Sequence, residues 1–279
     1  MRKCDMNCQR MFERGPMETL TSTDGTPIAF ERTGNGPPLV LVHGTTADHT
    51  RWEPVQPAFA EHFTVYALDR RGVGESGDAE EYELVREAED VAAVVDSIDE
   101  PVVLLGHSYG ALVSLEAALR TDNLRTLILY EPYFPVGDQK LYSEELLAEM
   151  RALEEAGENE RLLVLLFEEI VELSPEQMDD LRSAPNWPVR VNMAHVVYRE
   201  SDAENEYTFD AARFTDMTTP TVLLSGSESP QSVKDATGAV DDGLPNSRIV
   251  ILEGQGHIAT TTAPELFVDE VLSSIRELN

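Results

Sequence analysis

The stretch EPVVLLGHSYGALVSLEAALR, residues 100 to 120, sets a serine between an apolar run and a helical pattern. The run VVLL predicts a strand buried on both faces. After it, Gly106-x-Ser108-x-Gly110 has the G-x-S-x-G pattern of a sharp strand-to-helix turn. The glycines let strand and helix approach each other, and the turn holds the serine hydroxyl at the edge of a sheet. The pattern therefore predicts that Ser108 is a catalytic nucleophile.

Similar apolar runs, separated by helical patterns, recur along the chain. This alternation predicts an α/β fold whose sheet is mostly parallel and flanked by helices. The opening residues 18–34 alternate instead and contain an Asp24-Gly25 turn, which indicates an antiparallel hairpin at the sheet edge. Strands are predicted over 37–44, 62–72, 100–108, 123–132, 219–226 and 247–254, and helices over 82–98, 109–121 and 264–277.

Residues 132–216 carry helical patterns without a strand. Because parallel sheets bind ligands in loops at the carboxyl ends of their strands, this block is predicted to be a helical cap on a core of residues 17–131 and 217–279. Its most apolar segment, RLLVLLFEEIVEL (161–173), is predicted to pack inside the cap or to form a dimer contact. Residues 1–16 have no periodic pattern and are predicted to be a disordered leader or a mis-assigned start.

Three further segments, together with the serine turn, resemble motifs of the α/β-hydrolase family, in the order in which that family carries them. They are HGTT (43–46), DRRGVGES (69–76) and GQGH (254–257). The resemblance covers residues from about 20 to 279. It implies an α/β-hydrolase fold, with a mostly parallel central sheet flanked by helices and an inserted helical cap.

The same resemblance implies roles for two of these segments. Two preset backbone N–H groups stabilise the negative oxygen of a tetrahedral intermediate, and by resemblance they belong to Thr45 and Tyr109. In the family the turn that contains Arg70 and Arg71 is structural, so neither arginine is expected to act in catalysis.

A general base is needed, because a free serine hydroxyl is a weak nucleophile at neutral pH. His257 lies just past the last apolar strand in a glycine-bounded loop that can reach over the sheet to Ser108. The alternative is that His257 is only a surface-loop histidine, which is less favoured because the chain also carries the other family motifs. Two other histidines, His43 and His107, occupy motif positions and are expected to be packed or hydrogen-bonded locally. The remaining three lie outside any motif: His49, His62 and His195.

The acid that orients His257 is the open position. By resemblance, the commonest place is three residues beyond Gly226, where this chain has Ser229, which cannot carry the negative charge that stabilises an imidazolium. Glu131 follows the preceding strand, at a point similar to the acid of the haloalkane dehalogenases, and is the favoured candidate. Glu228 is the alternative, and another acid or a Ser-His dyad are the remaining ones.

Composition limits the partners. The net charge is −31, from 52 acidic and 21 basic residues, which argues against nucleic acids and anionic membranes. Lysine occurs only three times, and such a surface resembles proteins of a salt-rich cytoplasm. The sequence has no apolar stretch of membrane-spanning length and no signal-peptide pattern, which predicts a cytoplasmic protein. Cys4 and Cys8 have no nearby histidine, so neither a metal site nor a structural disulfide is expected.

The predicted function is a cofactor-free serine hydrolase that cleaves a small carboxylic ester, thioester or lactone through an acyl-enzyme intermediate. One alternative is a non-hydrolytic use of the same site, as a peroxidase or lyase. Another is a small-molecule-binding protein with little turnover, which the serine at position 229 favours. Hydrolysis of simple aryl esters and covalent labelling of Ser108 distinguish these three functions.

Overall fold

A single mixed sheet of eight strands runs through the computed structural model, which describes residues 15–137, 140–171, 174–184 and 186–278. The strands are β1 (Met17–Thr21), β2 (Pro27–Gly34), β3 (Pro38–Val42), β4 (Thr64–Leu68), β5 (Val102–His107), β6 (Leu124–Tyr130), β7 (Thr221–Gly226) and β8 (Ser247–Leu252). Their order across the sheet is β1-β2-β4-β3-β5-β6-β7-β8. β2 pairs antiparallel with both β1 and β4, and the remaining neighbours are parallel.

The α-helices of the described residues are α1 (Gln56–Ala60), α2 (Leu84–Asp96), α3 (Tyr109–Ala117), α4 (Glu144–Glu155), α5 (Asn159–Glu169), α6 (Pro175–Ser183), α7 (Trp187–Asn192), α8 (Val197–Glu206), α9 (Gln231–Gly243), α10 (Ala259–Thr262) and α11 (Pro264–Glu277). Both sheet faces are covered. Leu39 and Leu41 of β3 pack with α1 and α11, while Val40 and Val42 pack with α2, α3 and α9. This is why the central strands are largely apolar on both faces.

Helices α4 to α8 lie between β6 and β7, and the described residues of that segment contain no strand. They enclose an apolar core of their own, to which the apolar segment that forms α5 contributes Leu162, Leu163, Leu166 and Phe167. Ser143 and Ser174 cap α4 and α6 by accepting backbone N–H groups. None of the helices in the described residues has the length and apolarity that a membrane crossing requires.

The predicted α/β fold with a mostly parallel sheet is confirmed. Each predicted strand corresponds to an observed one that is two to six residues shorter, with the largest difference at β4, and the Asp24-Gly25 turn joins the antiparallel pair β1 and β2. Helix α9 was not predicted. Residues 1–14 of the predicted leader, with both cysteines, lie outside the described residues.

Candidate active site

Ser108 lies at the carboxyl end of β5, immediately before α3. Its φ of 56° and ψ of −126° are strained values for a residue with a side chain. Its N–H donates to the carbonyl of Tyr130, which ends the neighbouring strand β6, at 2.9 Å. A side chain at Gly110 would lie 2.2 Å from the carbonyl oxygen of His43, so only glycine lets α3 approach β3 this closely. The serine therefore stands at the sheet edge in the turn that its motif predicts.

Backbone strain marks the same edge at two other positions. Among the described residues other than glycine, positive φ occurs at Thr46 (59°), Ser108 (56°) and Glu131 (50°). Each directly follows, or lies a few residues beyond, the carboxyl end of a central parallel strand. Such conformations cost about 1–3 kcal/mol each and persist mainly where function requires them.

Glu131 follows β6 and is completely buried. One carboxylate oxygen accepts a hydrogen bond from Nδ1 of His257 at 2.6 Å. The other accepts from the Gly226 N–H at 2.7 Å and from the Ser229 hydroxyl at 2.5 Å. All three donors face one carboxylate, which fixes both its position and its charge.

The surroundings of Glu131 keep it ionised. Burial alone would raise the pKa of this carboxyl. The hydrogen bonds from His257, Ser229 and Gly226 outweigh that effect and hold the pKa below its ordinary value. A carboxylate on Nδ1 fixes the tautomer in which Nδ1 carries the proton and Nε2 is free to accept one.

The loop that carries His257 is tied to the sheet on both sides of the histidine. The Tyr130 hydroxyl donates to the carbonyl of Gly256 and accepts from the Ala259 N–H, the latter at 2.9 Å. Nε2 of His107 donates to the carbonyl of His257 at 2.8 Å, and the two imidazole rings are 4.7 Å apart. Burial is the main cause that lowers the pKa of His107 well below its usual value, with smaller contributions from His257 and Arg51, so this histidine is a neutral donor.

The two reacting atoms of the predicted pair are not bonded to each other. Within the described residues, neither Oγ of Ser108 nor Nε2 of His257 has a hydrogen-bond partner. Ser108 directly follows His107, and the side chain of His107 bonds to the backbone carbonyl of His257, so the two segments are in contact. The side chain of His257 is 36% exposed. Catalytic hydrogen bonds are commonly long before substrate binds. The geometry thus brings His257 to Glu131 and leaves Nε2 without a hydrogen-bond partner among the described residues.

The predicted oxyanion donors are unoccupied N–H groups. In the described part of the chain, neither the Thr45 N–H nor the Tyr109 N–H donates a hydrogen bond. Tyr109 is the first residue of α3, where an N–H has no partner within the helix. A side chain at Gly44 would lie 2.9 Å from Cβ and 3.4 Å from Oγ of Ser108, so this glycine keeps the space beside the serine open.

Glu228, the alternative acid, lies in a different environment from Glu131. Its side chain is exposed and has no hydrogen bond or ion pair within the described residues, although its N–H donates to the carbonyl of Gln255 at 2.8 Å. The neighbouring Ser229 is buried and points to Glu131. Of the two carboxylates, only Glu131 meets His257.

Arg70 holds the loop of His43 and Gly44, which lies beside Ser108, through hydrogen bonds. Its guanidinium donates to both oxygens of Glu87 at 2.8 Å and to Glu200 of the cap helix α8 at 2.8 Å. It also donates to the carbonyl of His43 at 3.0 Å and to that of Gly44 at 3.3 Å. Since these partners occupy the guanidinium, Arg70 joins core, loop and cap, which agrees with the structural role expected for its turn.

A comparison with protein families assigns this architecture. The sequence model of the alpha/beta hydrolase family matches residues 39–270. The chain belongs to the alpha/beta hydrolase family.

Other members of the family resemble the chain over nearly its whole length. An alpha/beta hydrolase from Sphaerobacter thermophilus superposes with a TM-score of 0.81 at 34% identity, covering 92% of this chain and 99% of that one. A pimeloyl-[acyl-carrier protein] methyl ester esterase of Aeromonas hydrophila is 28% identical, over 87% of this chain and 96% of the esterase. An (E)-2-((N-methylformamido)methylene)succinate hydrolase of Acinetobacter baylyi is 25% identical, over 89% and 94%. These three relatives are therefore an esterase and two hydrolases.

The sequence did not predict the contacts that three residues make with the candidate site. Ser229 donates to Glu131, and Tyr130 and His107 anchor the loop of His257. In the sequence, Ser229 stands out only as a residue that cannot be the acid, His107 as a motif residue expected to be packed or hydrogen-bonded locally, and Tyr130 as part of a predicted strand. Within the described residues no group of three or more histidine, cysteine or acidic side chains could hold a metal ion.

Proposed function

We propose that the protein is a serine hydrolase that cleaves a small carboxylic ester, thioester or lactone through an acyl-enzyme intermediate. The observation that carries this proposal is the 2.6 Å hydrogen bond between buried Glu131 and Nδ1 of His257. It is formed at the same sheet edge as the strained turn of Ser108. A carboxylate, an imidazole and a hydroxyl in this order are the parts that acyl transfer to serine requires.

In the proposed reaction, Oγ of Ser108 attacks the carbonyl carbon while Nε2 of His257 takes its proton. Glu131 stabilises the imidazolium that results. The N–H groups of Thr45 and Tyr109 donate to the oxyanion, and the amino end of α3 adds the positive end of its dipole. His257 then protonates the leaving group. A water molecule, deprotonated by His257, attacks the acyl-enzyme and releases the acid.

One relative supports an ester as the bond that is cleaved, and the other supports hydrolysis more generally. The Aeromonas relative is named a methyl ester esterase, and the Acinetobacter relative a hydrolase of a substituted succinate. The serine nucleophile favours acyl transfer over the chemistry of family members that use an aspartate nucleophile. Buried Glu131 also weakens the case for a binding protein without turnover, because it fills the role that Ser229 left vacant.

Active-site labelling tests the proposal directly. The protein is incubated in concentrated KCl with a fluorophosphonate probe, because salt screens the repulsion among its acidic groups. We expect one modified residue, Ser108, by peptide mass spectrometry, together with hydrolysis of 4-nitrophenyl acetate. Ser108→Ala is expected to abolish both signals. A folded wild-type protein that neither reacts with the probe nor hydrolyses the ester would overturn the proposal.

A further inference from the structure

Two arginines contact residues that neighbour the candidate site. Arg51 lies on a short 3-10 helix (His49–Trp52), and its guanidinium donates to the Thr261 hydroxyl at 2.9 Å, just beyond the loop of His257. Arg190 lies on α7 of the cap and donates to the hydroxyl of Thr46 at 3.1 Å and to its carbonyl at 3.3 Å. Thr46 is next to Thr45, a predicted oxyanion donor. Arg51 therefore contacts α10, which directly follows the His257 loop, and Arg190 contacts the loop that carries Thr45 and Thr46.

Neither arginine has a carboxylate partner. Within the described residues, no salt bridge joins Arg51 or Arg190 to an acidic side chain, although the chain contains 52 acidic residues. Nε of Arg190 is buried and makes no hydrogen bond there. The carboxylate of Asp48 attracts Arg190 from beyond salt-bridge distance. An unpaired, partly buried guanidinium is costly unless an anion joins it.

The two charges are close enough to influence each other. Burial, and after it the repulsion from Arg190, lowers the pKa of Arg51 to about 10. Burial also lowers the pKa of Arg190. The charge of Arg51 further contributes to the lowered pKa of His107, the residue before Ser108. Both guanidiniums stay protonated at neutral pH, so positive charges contact Thr46 and Thr261, on segments next to the candidate site, in a protein whose net charge is −31.

We propose that Arg51 and Arg190 form an anion subsite that binds a carboxylate on the substrate, so that the preferred substrates are monoesters or thioesters of short dicarboxylic acids. This inference rests on the proposed function. Guanidiniums bind carboxylates through paired, charge-assisted hydrogen bonds. Water is added across the acyl bond as before, and the products are the alcohol or thiol and a free dicarboxylate. The subsite attracts an anionic substrate that the acidic surface would otherwise repel.

Matched substrates test the subsite. The monomethyl esters of succinate, glutarate and adipate are compared with neutral methyl esters in which an isopropyl group replaces the carboxylate. We expect the wild-type kcat/KM to be higher for the best anionic ester than for its neutral match. Arg51→Gln and Arg190→Gln should each lower the anionic value by about 10- to 100-fold, the range for a charge-assisted hydrogen bond. The neutral value should change little.

Arg276→Gln is the matched control, since Arg276 is exposed on α11. It removes the same charge and should leave both substrates unaffected. A wild-type protein without preference for the anionic ester would overturn the inference. Parallel losses for both esters in the Arg51 and Arg190 variants would also overturn it, because they would indicate a purely structural role.

Calorimetry with glutarate separates this inference from the proposed function, because binding needs no turnover. Loss of glutarate binding in the two arginine variants, but not in Arg276→Gln, supports the subsite even if Ser108 proves unreactive. Absence of glutarate binding to the wild type, together with normal hydrolysis of neutral esters, refutes the subsite and leaves the hydrolase intact.

Discussion

The carboxyl ends of β6 and β7 lie side by side, yet the acidic residues that follow them differ in burial and in hydrogen bonding. After β6, Glu131 is fully buried, has a φ of 50° and accepts three hydrogen bonds. After β7, Glu228 is exposed and its neighbour Ser229 is buried as a donor to Glu131. On the proposed function, the acid thus lies one strand away from the position that the family most commonly uses, and the serine at that position donates to it. A carboxylate can orient the histidine when it is buried and accepts hydrogen bonds from its neighbours. Closeness in sequence to a family motif does not decide this.

The largest expected difference between the two strand ends is catalytic. Glu131→Gln should lower kcat for a neutral ester by about 10³- to 10⁴-fold, because an amide cannot stabilise the imidazolium and favours the wrong tautomer of His257. Steady-state kinetics measure this loss, and circular dichroism checks the fold. Glu228→Gln is the matched control and should keep the wild-type kcat. Full activity in the Glu131 variant, or a comparable loss in the Glu228 variant, would reverse the comparison.

A smaller effect should follow from the residue that links the two strand ends. Ser229→Ala removes one hydrogen bond to the buried carboxylate of Glu131, and we expect kcat/KM to fall by about tenfold or somewhat more. Ser97→Ala is a suitable control, since the Ser97 hydroxyl donates only to a carbonyl at the end of α2. If Ser229→Ala behaves like this control, the serine fills space without supporting the acid.

The smallest expected effect concerns stability. The folded-state pKa of Glu131 lies below the ordinary value of 4.5, so its contribution to stability is complete above that pH and is lost as pH falls through the folded-state pKa. The difference in unfolding free energy between wild type and Glu131→Gln should therefore shrink below about pH 4.5. Denaturant titrations at constant salt measure it. A difference that grows towards acid pH would show that Glu131 is protonated in the folded protein.

Much of the fold could be predicted because local and global signals agree. The strand ahead of Ser108 is apolar throughout, and its G-x-S-x-G turn has one common structural use. Helix α9 was missed because QSVKDATGAVDDG contains two glycines and a threonine, which are poor helix formers. Its helical state comes from packing: Val233, Ala236, Thr237 and Val240 form the buried stripe.

The candidate site was predictable only where a motif names the residue. Ser108 and His257 are in such motifs, and Glu131 could be proposed because its place after β6 is one that some relatives use. Two of the three donors to its carboxylate, Gly226 and Ser229, lie 95 and 98 positions later in the chain, so no local pattern reveals them. Arg51 and Arg190 were also missed, because an arginine without a carboxylate partner is recognisable only in three dimensions.

The most direct test of the central claim is a crystal structure of the protein after reaction with a small phosphonate ester. We predict that phosphorus is bonded to Oγ of Ser108, that one phosphonyl oxygen accepts from the N–H groups of Thr45 and Tyr109, and that Nε2 of His257 lies within hydrogen-bonding distance of the adduct. An adduct on a different residue, or a His257 ring turned away while still bonded to Glu131, would contradict the account.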